Sequence, residues 1–285
     1  MRNFLFAFVI FCCCITVNAQ NDDFRVQRIK ETRFVDYSDK AVAEYDKVFR
    51  YDAKNRLVAI DIANSGKDYD VLSFDYGNQE VNVSSKALKR IKQRIVSENG
   101  KLKTYQQTKS NTYHFQFDGQ RLTKFEFDDT CNGTKTDYLL NYNEEGVLES
   151  LYHARQDVGA ASGMTYEITR NEKGEVSQVL WKSKNSTAAE FKATYDSEPR
   201  IKSIIKSQWG KMVDKVTYGY DEDGNIVLEE HFGNSSGREF LYNRLEVSYT
   251  KAKGNDKQLL WENNNWPTNL LFNQRSYLDY IAPCY

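Results

Sequence analysis

The stretch YGYDEDGNIVLEEHF, Tyr218 to Phe232, decides the fold. Its middle, Asp221-Glu222-Asp223-Gly224-Asn225, has the acidity of a calcium loop, whereas its flanks alternate aromatic, β-branched and polar residues as strands do. An EF-hand loop places Gly sixth and a bidentate Glu twelfth. Here Gly stands fourth and Phe232 occupies the twelfth position, so the hairpin reading fits better. An Asp at a strand end caps a turn through its own backbone two residues on, and Gly supplies the positive φ that short hairpin loops demand.

Working outward, the same grammar recurs in FRYDAKNRLVAI (Phe49 to Ile60), LSFDYGNQEVNV (Leu72 to Val83), RIVSENGKLKTY (Arg94 to Tyr105) and FQFDGQRLTKFEF (Phe115 to Phe127). It continues in LLNYNEEGVLESLY (Leu139 to Tyr152), YEITRNEKGEVSQVLW (Tyr166 to Trp181) and KATYDSEPRIKSII (Lys192 to Ile205). A period of roughly 20 to 28 residues marks a repeat architecture. Each repeat holds two strands, with a second, looser connection such as Gly159 to Gly163 or Gly233 to Gly237. The expected fold is all-β: a long antiparallel meander of repeated hairpins, about 14 to 18 strands, curled or closed into a barrel-like sheet. Tyr218, Tyr220, Ile226 and Leu228 are expected in its core.

The ends differ from the repeats. Met1 to Gln20 carries one Arg before an apolar run from Phe4 to Val17 and then Asn18-Ala19-Gln20, which reads as a secretory signal peptide over residues 1–19. Residues 20–250 then form the hairpin domain, with Phe24 to Phe34 as a strand feeding the first hairpin. Residues 251–285 lack the turn grammar and are expected to cap an exposed edge. Loss of the signal leaves only Cys131 and Cys284, a possible disulfide in an oxidising compartment.

Composition narrows the function classes. The net charge is −1, with acidic and basic residues scattered, so nothing in it favours nucleic acid. The one basic run, Lys86 to Arg94, is interleaved with Leu88 and Ile91 and reads as a solvated face. No cofactor motif, Gly-x-Ser-x-Gly elbow or zinc spacing occurs around His114, His153 or His231, and His114 and His231 are expected on the polar face. The adjacent acids Asp128-Asp129 and Glu229-Glu230 point to opposite faces of a strand, which makes them poor glycosidase pairs. The expectation is therefore no catalytic, cofactor-binding or metal residue. Trp181, Trp209, Trp261 and Trp266 are candidate stacking platforms for a glycan or for an envelope protein partner. Lys192, Thr194, Lys202, Lys206, Glu167 and Thr169 interrupt any outward apolar band, against an integral membrane barrel.

Tyr51-Asp52 before Arg56-Leu57, and Tyr220-Asp221 before Gly224-Asn225-Ile226, resemble the Tyr-Asp (YD) repeats of Rhs-type shells. The whole layout is similar to a family of uncharacterised envelope proteins of Bacteroides-like bacteria with a porin-like fold. That resemblance implies a β fold and an exported location, in the periplasm or at the cell surface, and carries over no catalytic residue. Secreted expression followed by intact-mass and N-terminal analysis should find a chain starting at Gln20. A chain retaining residues 1–19 contradicts the signal reading.

Overall fold

In the computed structural model, the described residues are 24–35, 40–54, 56–87, 92–98, 101–119, 121–157, 163–183, 186–198 and 200–251. They fall into two compact units, 73–189 in one and 24–72 with 190–251 in the other. The first unit holds β5 (Glu80–Ser85), β6 (Lys92–Glu98), β7 (Lys101–Gln106), β8 (Asn111–Asp118), β9 (Arg121–Asp129), β10 (Thr134–Tyr142), β11 (Leu148–Arg155), β12 (Met164–Arg170) and β13 (Val176–Ser183). The second holds β1 (Phe24–Phe34), β2 (Ala41–Tyr51), β3 (Leu57–Asn64), β15 (Ile201–Gln208), β16 (Lys211–Tyr220), β17 (Ile226–Ser235) and β18 (Arg238–Lys251). The strands β4 (Lys67–Tyr76) and β14 (Ser186–Tyr195) run from one unit into the other.

All eighteen strands belong to one sheet, in sequence order, and β1 pairs antiparallel with both β2 and β18. The connectivity is thus a closed antiparallel meander, the topology of an up-and-down barrel. The outer edge of β18 is taken by β1, from Phe24↔Lys251 to Arg33↔Asn243. The capping segment itself, like the signal segment and Cys284, lies outside the described residues.

Five repeat corners share one geometry. The backbone N–H of Asp52, Asn143, Asn171, Asp196 and Asp221 donates to the carbonyl four residues on, at 2.9 to 3.0 Å. In return each side-chain Oδ1 accepts the N–H of that same residue: Arg56, Val147, Glu175, Arg200 or Asn225. Gly224 closes the turn at φ +80, donating to the Asp221 carbonyl. Asp221 is thereby the corner of a hairpin, its carboxylate spent on backbone and on the Asn225 amide. The copy at Leu72 to Val83 departs from this pattern: Asp75 lies inside β4, and the turn forms at Gly77 to Glu80.

A register shift accompanies each of these corners, as between Arg50 and Tyr51, Asn141 and Tyr142, Thr169 and Arg170, and Gly219 and Tyr220, where the outgoing strand carries one unmatched residue, Val58, Glu149, Ser177 and Val227. The extra residue of a bulge reverses which face the following side chains occupy. Buried positions after the corner are therefore three residues apart rather than two: Leu57 and Ile60, Leu102 and Tyr105, Leu122 and Phe125, Leu148 and Leu151, Val176 and Val179, Ile201 and Ile204.

In β17 the same rule buries Glu229, and with it His231, and turns Leu228 off that face; Ile226, at the first of the two positions, is only half buried. This corrects the expectation of Leu228 in the core and of His231 on the polar face. The glycine pair at 233 and 237 is also no loose loop. Gly233 continues β17, and Ser236-Gly237 is a two-residue turn with both φ positive, as are Ser65-Gly66 and Trp209-Gly210.

The Tyr of the YD pair ties each hairpin to the one before it. Backbone pairing of β15 with β16 ends at Ser203↔Thr217, and beyond that point Tyr220 donates its hydroxyl to the Ile201 carbonyl at 2.7 Å. Tyr51, Tyr142 and Tyr249 reach Val26, Leu122 and Ile226 in the same way. Arg170, standing where Tyr stands elsewhere, turns its guanidinium to the Leu148 carbonyl. Arg121 and Arg200 lie over the rings of Tyr142 and Tyr220. Tyr220→Phe should cost about 1 kcal/mol in urea unfolding through the lost bond, and Gly224→Ala about 1 to 2 kcal/mol through left-handed strain. A neutral result for both would remove the corner from its proposed role in stability.

Candidate functional site

Two groups of side chains stand out, one in each unit. In the first, Phe115, Phe125, Tyr138 and His153 are direct cross-strand partners on β8 to β11, and Tyr166 and Trp181 are on β12 and β13; His153 meets Tyr166 diagonally, since it pairs with Met164. Ring centroids follow at 6.0, 4.3, 5.3, 5.7 and 5.7 Å. Phe125 is wholly buried and Tyr166 nearly so, which leaves this row as packing rather than an open platform. Trp181 is half buried at its end, stacked on Tyr166 with its indole N–H donating to the Met164 sulfur at 3.1 Å. Burial raises the pKa of Tyr138 and lowers that of His153, whose Nε2 is enclosed with no hydrogen-bond partner. The row thus places an imidazole between two tyrosines.

In the second unit the buried face turns polar at Glu229 and His231 of β17 and at Asn243 of β18, beside the buried Leu245 and Val247. Glu229 occupies the position that Ile60, Tyr105, Phe125, Leu151, Val179 and Ile204 fill after their own corners, and it has no exposed surface. His231 Nε2 and Glu229 Oε1 share a hydrogen bond, while Glu229 Oε2 and the Oδ1 of buried Asn243 have no partner. A bulge between His231 and Phe232, opposite Asn243 and Leu241, re-aims Tyr242, and its hydroxyl donates to Asp214 Oδ1 at 3.2 Å. Burial raises the Asp214 pKa, opposed by His231, by the Tyr242 bond, by Lys206 and by the Lys215 backbone. On the same unit Glu31, also buried, accepts from Lys47 at 2.7 Å and Arg33 at 2.6 Å. Lys206, expected outside, faces this side as well, over the Phe191 ring.

His114, Glu126 and Asp128 lie close enough across β8 and β9 to hold one metal ion. Sequence spacing could not show this trio, because it is built from strands that pair in register. Its carboxylates are already engaged: Lys135 reaches Asp128 at 3.0 Å and Glu126 at 3.4 Å, and Gln156 donates to Glu126. Trp209 stands at a hairpin tip, 86% exposed. Cys131 is exposed in the turn after β9, and Trp261 and Trp266 lie outside the described residues.

No protein-family profile matches the chain, and no curated protein matches it. Among solved structures, it is similar to a porin-like protein from Bacteroides uniformis, at 14% identity and a TM-score of 0.41, over 79% of this chain and 97% of that one. A porin-like protein from Bacteroides vulgatus matches at 10% identity and a TM-score of 0.37, over 79% and 98%. The TcdB2-TccC3 structure without its hypervariable C-terminal region matches at 10% identity and a TM-score of 0.36, over 82% of this chain and 16% of that one.

The enclosed His153 gives a pH signature. Its folded pKa lies below the ordinary 6.5, so its contribution is present above that pH and is lost as acid protonates the unfolded chain first. His153→Phe keeps a ring in the row and removes the titration. The variant should gain on wild type in thermal melts as pH falls from 7 to 5; a constant difference across that range contradicts the assignment.

Proposed function

We propose that the chain is an exported, non-catalytic β-repeat protein that works in water as a binding or structural module of the bacterial envelope. The observation that carries this reading is the sidedness of the sheet. A lipid-facing barrel turns apolar residues outward and polar ones inward. Here the buried face is mainly aliphatic and aromatic, and the opposite face carries ion pairs between neighbouring strands. They include Arg50 with Asp61, Glu80 with Arg94, Glu167 with Lys182 and Glu230 with Arg244, all at 2.5 to 2.7 Å. Lys192, Thr194, Lys202, Glu167 and Thr169 are exposed on it too. Charges at these positions would be costly against hydrocarbon and cost little in water.

Export follows from the signal-like segment, and the non-catalytic reading from the placement of the titratable groups. Glu229 and His231 are buried and share a hydrogen bond, and half-buried Asp214 accepts one from Tyr242, so these groups serve one another as internal hydrogen-bonding partners. The mature chain, expressed without its first 19 residues, should purify free of detergent as a folded β protein. Recovery only in detergent overturns the reading in favour of an outer-membrane barrel. Turnover of any glycan in a polysaccharide panel, lost in Glu229→Gln or Asp214→Asn, overturns its non-catalytic part.

A further inference from the structure

Trp209 is the residue that packing does not account for. Three two-residue turns in the second unit share one backbone: Ser65-Gly66, Trp209-Gly210 and Ser236-Gly237, with φ of +48 and +77, +48 and +73, and +55 and +82. A left-handed residue before Gly is met with little cost by a small polar side chain, and two of the three turns have Ser. The third carries the largest side chain of all, in a conformation that bulky residues avoid, and exposes 86% of it. The turn does not need Trp, and the core does not use it.

The surroundings of this tip are just as distinctive. Each of the three turns is followed directly by an exposed basic residue, Lys67, Lys211 and Arg238, of which Lys67 and Arg238 are themselves followed by the exposed acids Asp68 and Glu239. Lys40, also exposed, closes the connection between β1 and β2, which lies at the same end of the strands. Glu239, the acid next to Arg238, is paired with Lys215 at 3.0 Å. Exposed apolar side chains sit beside these tips as well: Val35 and Val42 flank the β1–β2 connection, and Tyr69 follows the Ser65-Gly66 turn. At this end of the unit the strand order places the turns β15–β16, β17–β18 and β3–β4 beside the facing ends of β1 and β2.

We infer that this end of the second unit is a docking surface for an anionic lipid bilayer, with Trp209 seated at the headgroup level and Lys67, Lys211 and Arg238 against lipid phosphates. A protruding two-residue tip offers one aromatic face and no opposing wall or converging polar groups, which a sugar or small-molecule site requires. An interface needs neither. Trp and Tyr settle at the boundary of water and hydrocarbon, and cations beside them are drawn to the negative surface. The inference rests on the reading that the strands themselves stay in water. Recovery only in detergent would overturn that reading, whereas failure to bind vesicles overturns the docking surface alone.

The test is flotation of the purified mature chain with vesicles of phosphatidylcholine alone or with roughly one third phosphatidylglycerol. Wild type should float with the anionic vesicles and much less with the zwitterionic ones, and added salt should weaken it. Trp209→Ser, which installs the residue of the two sister turns and keeps the hairpin, should lower partitioning about tenfold. Lys67→Ala with Lys211→Ala should lower it by a similar factor while leaving the melt unchanged. Wild type that stays in the soluble fraction at every composition overturns the proposal, and so does a Trp209→Ser chain that floats as well as wild type. Retention on a glycan matrix that depends on Trp209, without flotation, would assign the tip to sugar instead and overturn it too.

Discussion

One extra residue at each hairpin corner sets the rest of the molecule. The Asx side chain holds the turn by accepting the N–H four residues on, and the bulge beside it admits a residue that the neighbouring strand does not match. Because strand side chains alternate, that residue moves every later side chain to the opposite face. Leu148 and Leu151, or Val176 and Val179, can then both be buried at a spacing that a plain strand forbids. The corner is thus a device for choosing the core as well as for reversing the chain.

Cooperation between corners follows from the same geometry. Backbone pairing stops two or three residues short of each corner, and the tyrosine hydroxyl bridges the gap to the previous strand. A repeat protein is stabilised largely by such nearest-neighbour contacts. Arg200 links three groups at one corner, paired with Asp196 at 2.8 Å and Glu198 at 2.9 Å and placed over Tyr220. Where the repeat has Arg170 instead of tyrosine, the same carbonyl position is still met. What is conserved from copy to copy within this chain is a hydrogen bond, and more than one side chain can make it.

Against that regularity the exceptions carry the functional interest. Glu229 replaces an aliphatic or aromatic residue at a position whose burial the corner enforces, and it brings His231, Asn243, Asp214 and Tyr242 into a polar patch of the core. Such a patch is costly unless its members bond to one another, and those pairings restrict how the strands can slide. Trp209 departs in the other direction, apolar and in solvent at a turn that Ser serves elsewhere. One exception lies inside, within the core; the other lies outside, in solvent.

The sequence alone determined the local facts, since turn chemistry is local: the positions of most Asx corners, the strand pairs on either side and an all-β meander of about 14 to 18 strands. It also held the signal for Glu229, in the spacing of Leu148 with Leu151 and Ile201 with Ile204, once the bulge is known to shift the face. Three things came only from the tertiary structure. The pairing of β1 with β18 joins residues more than two hundred positions apart, which no local pattern encodes. The trio His114, Glu126 and Asp128, and the row from Phe115 to Trp181, exist only through cross-strand register. The exposure of Trp209, as against the stacking of Trp181, depends on which strands pass nearby, and a side chain's own identity does not contain that information.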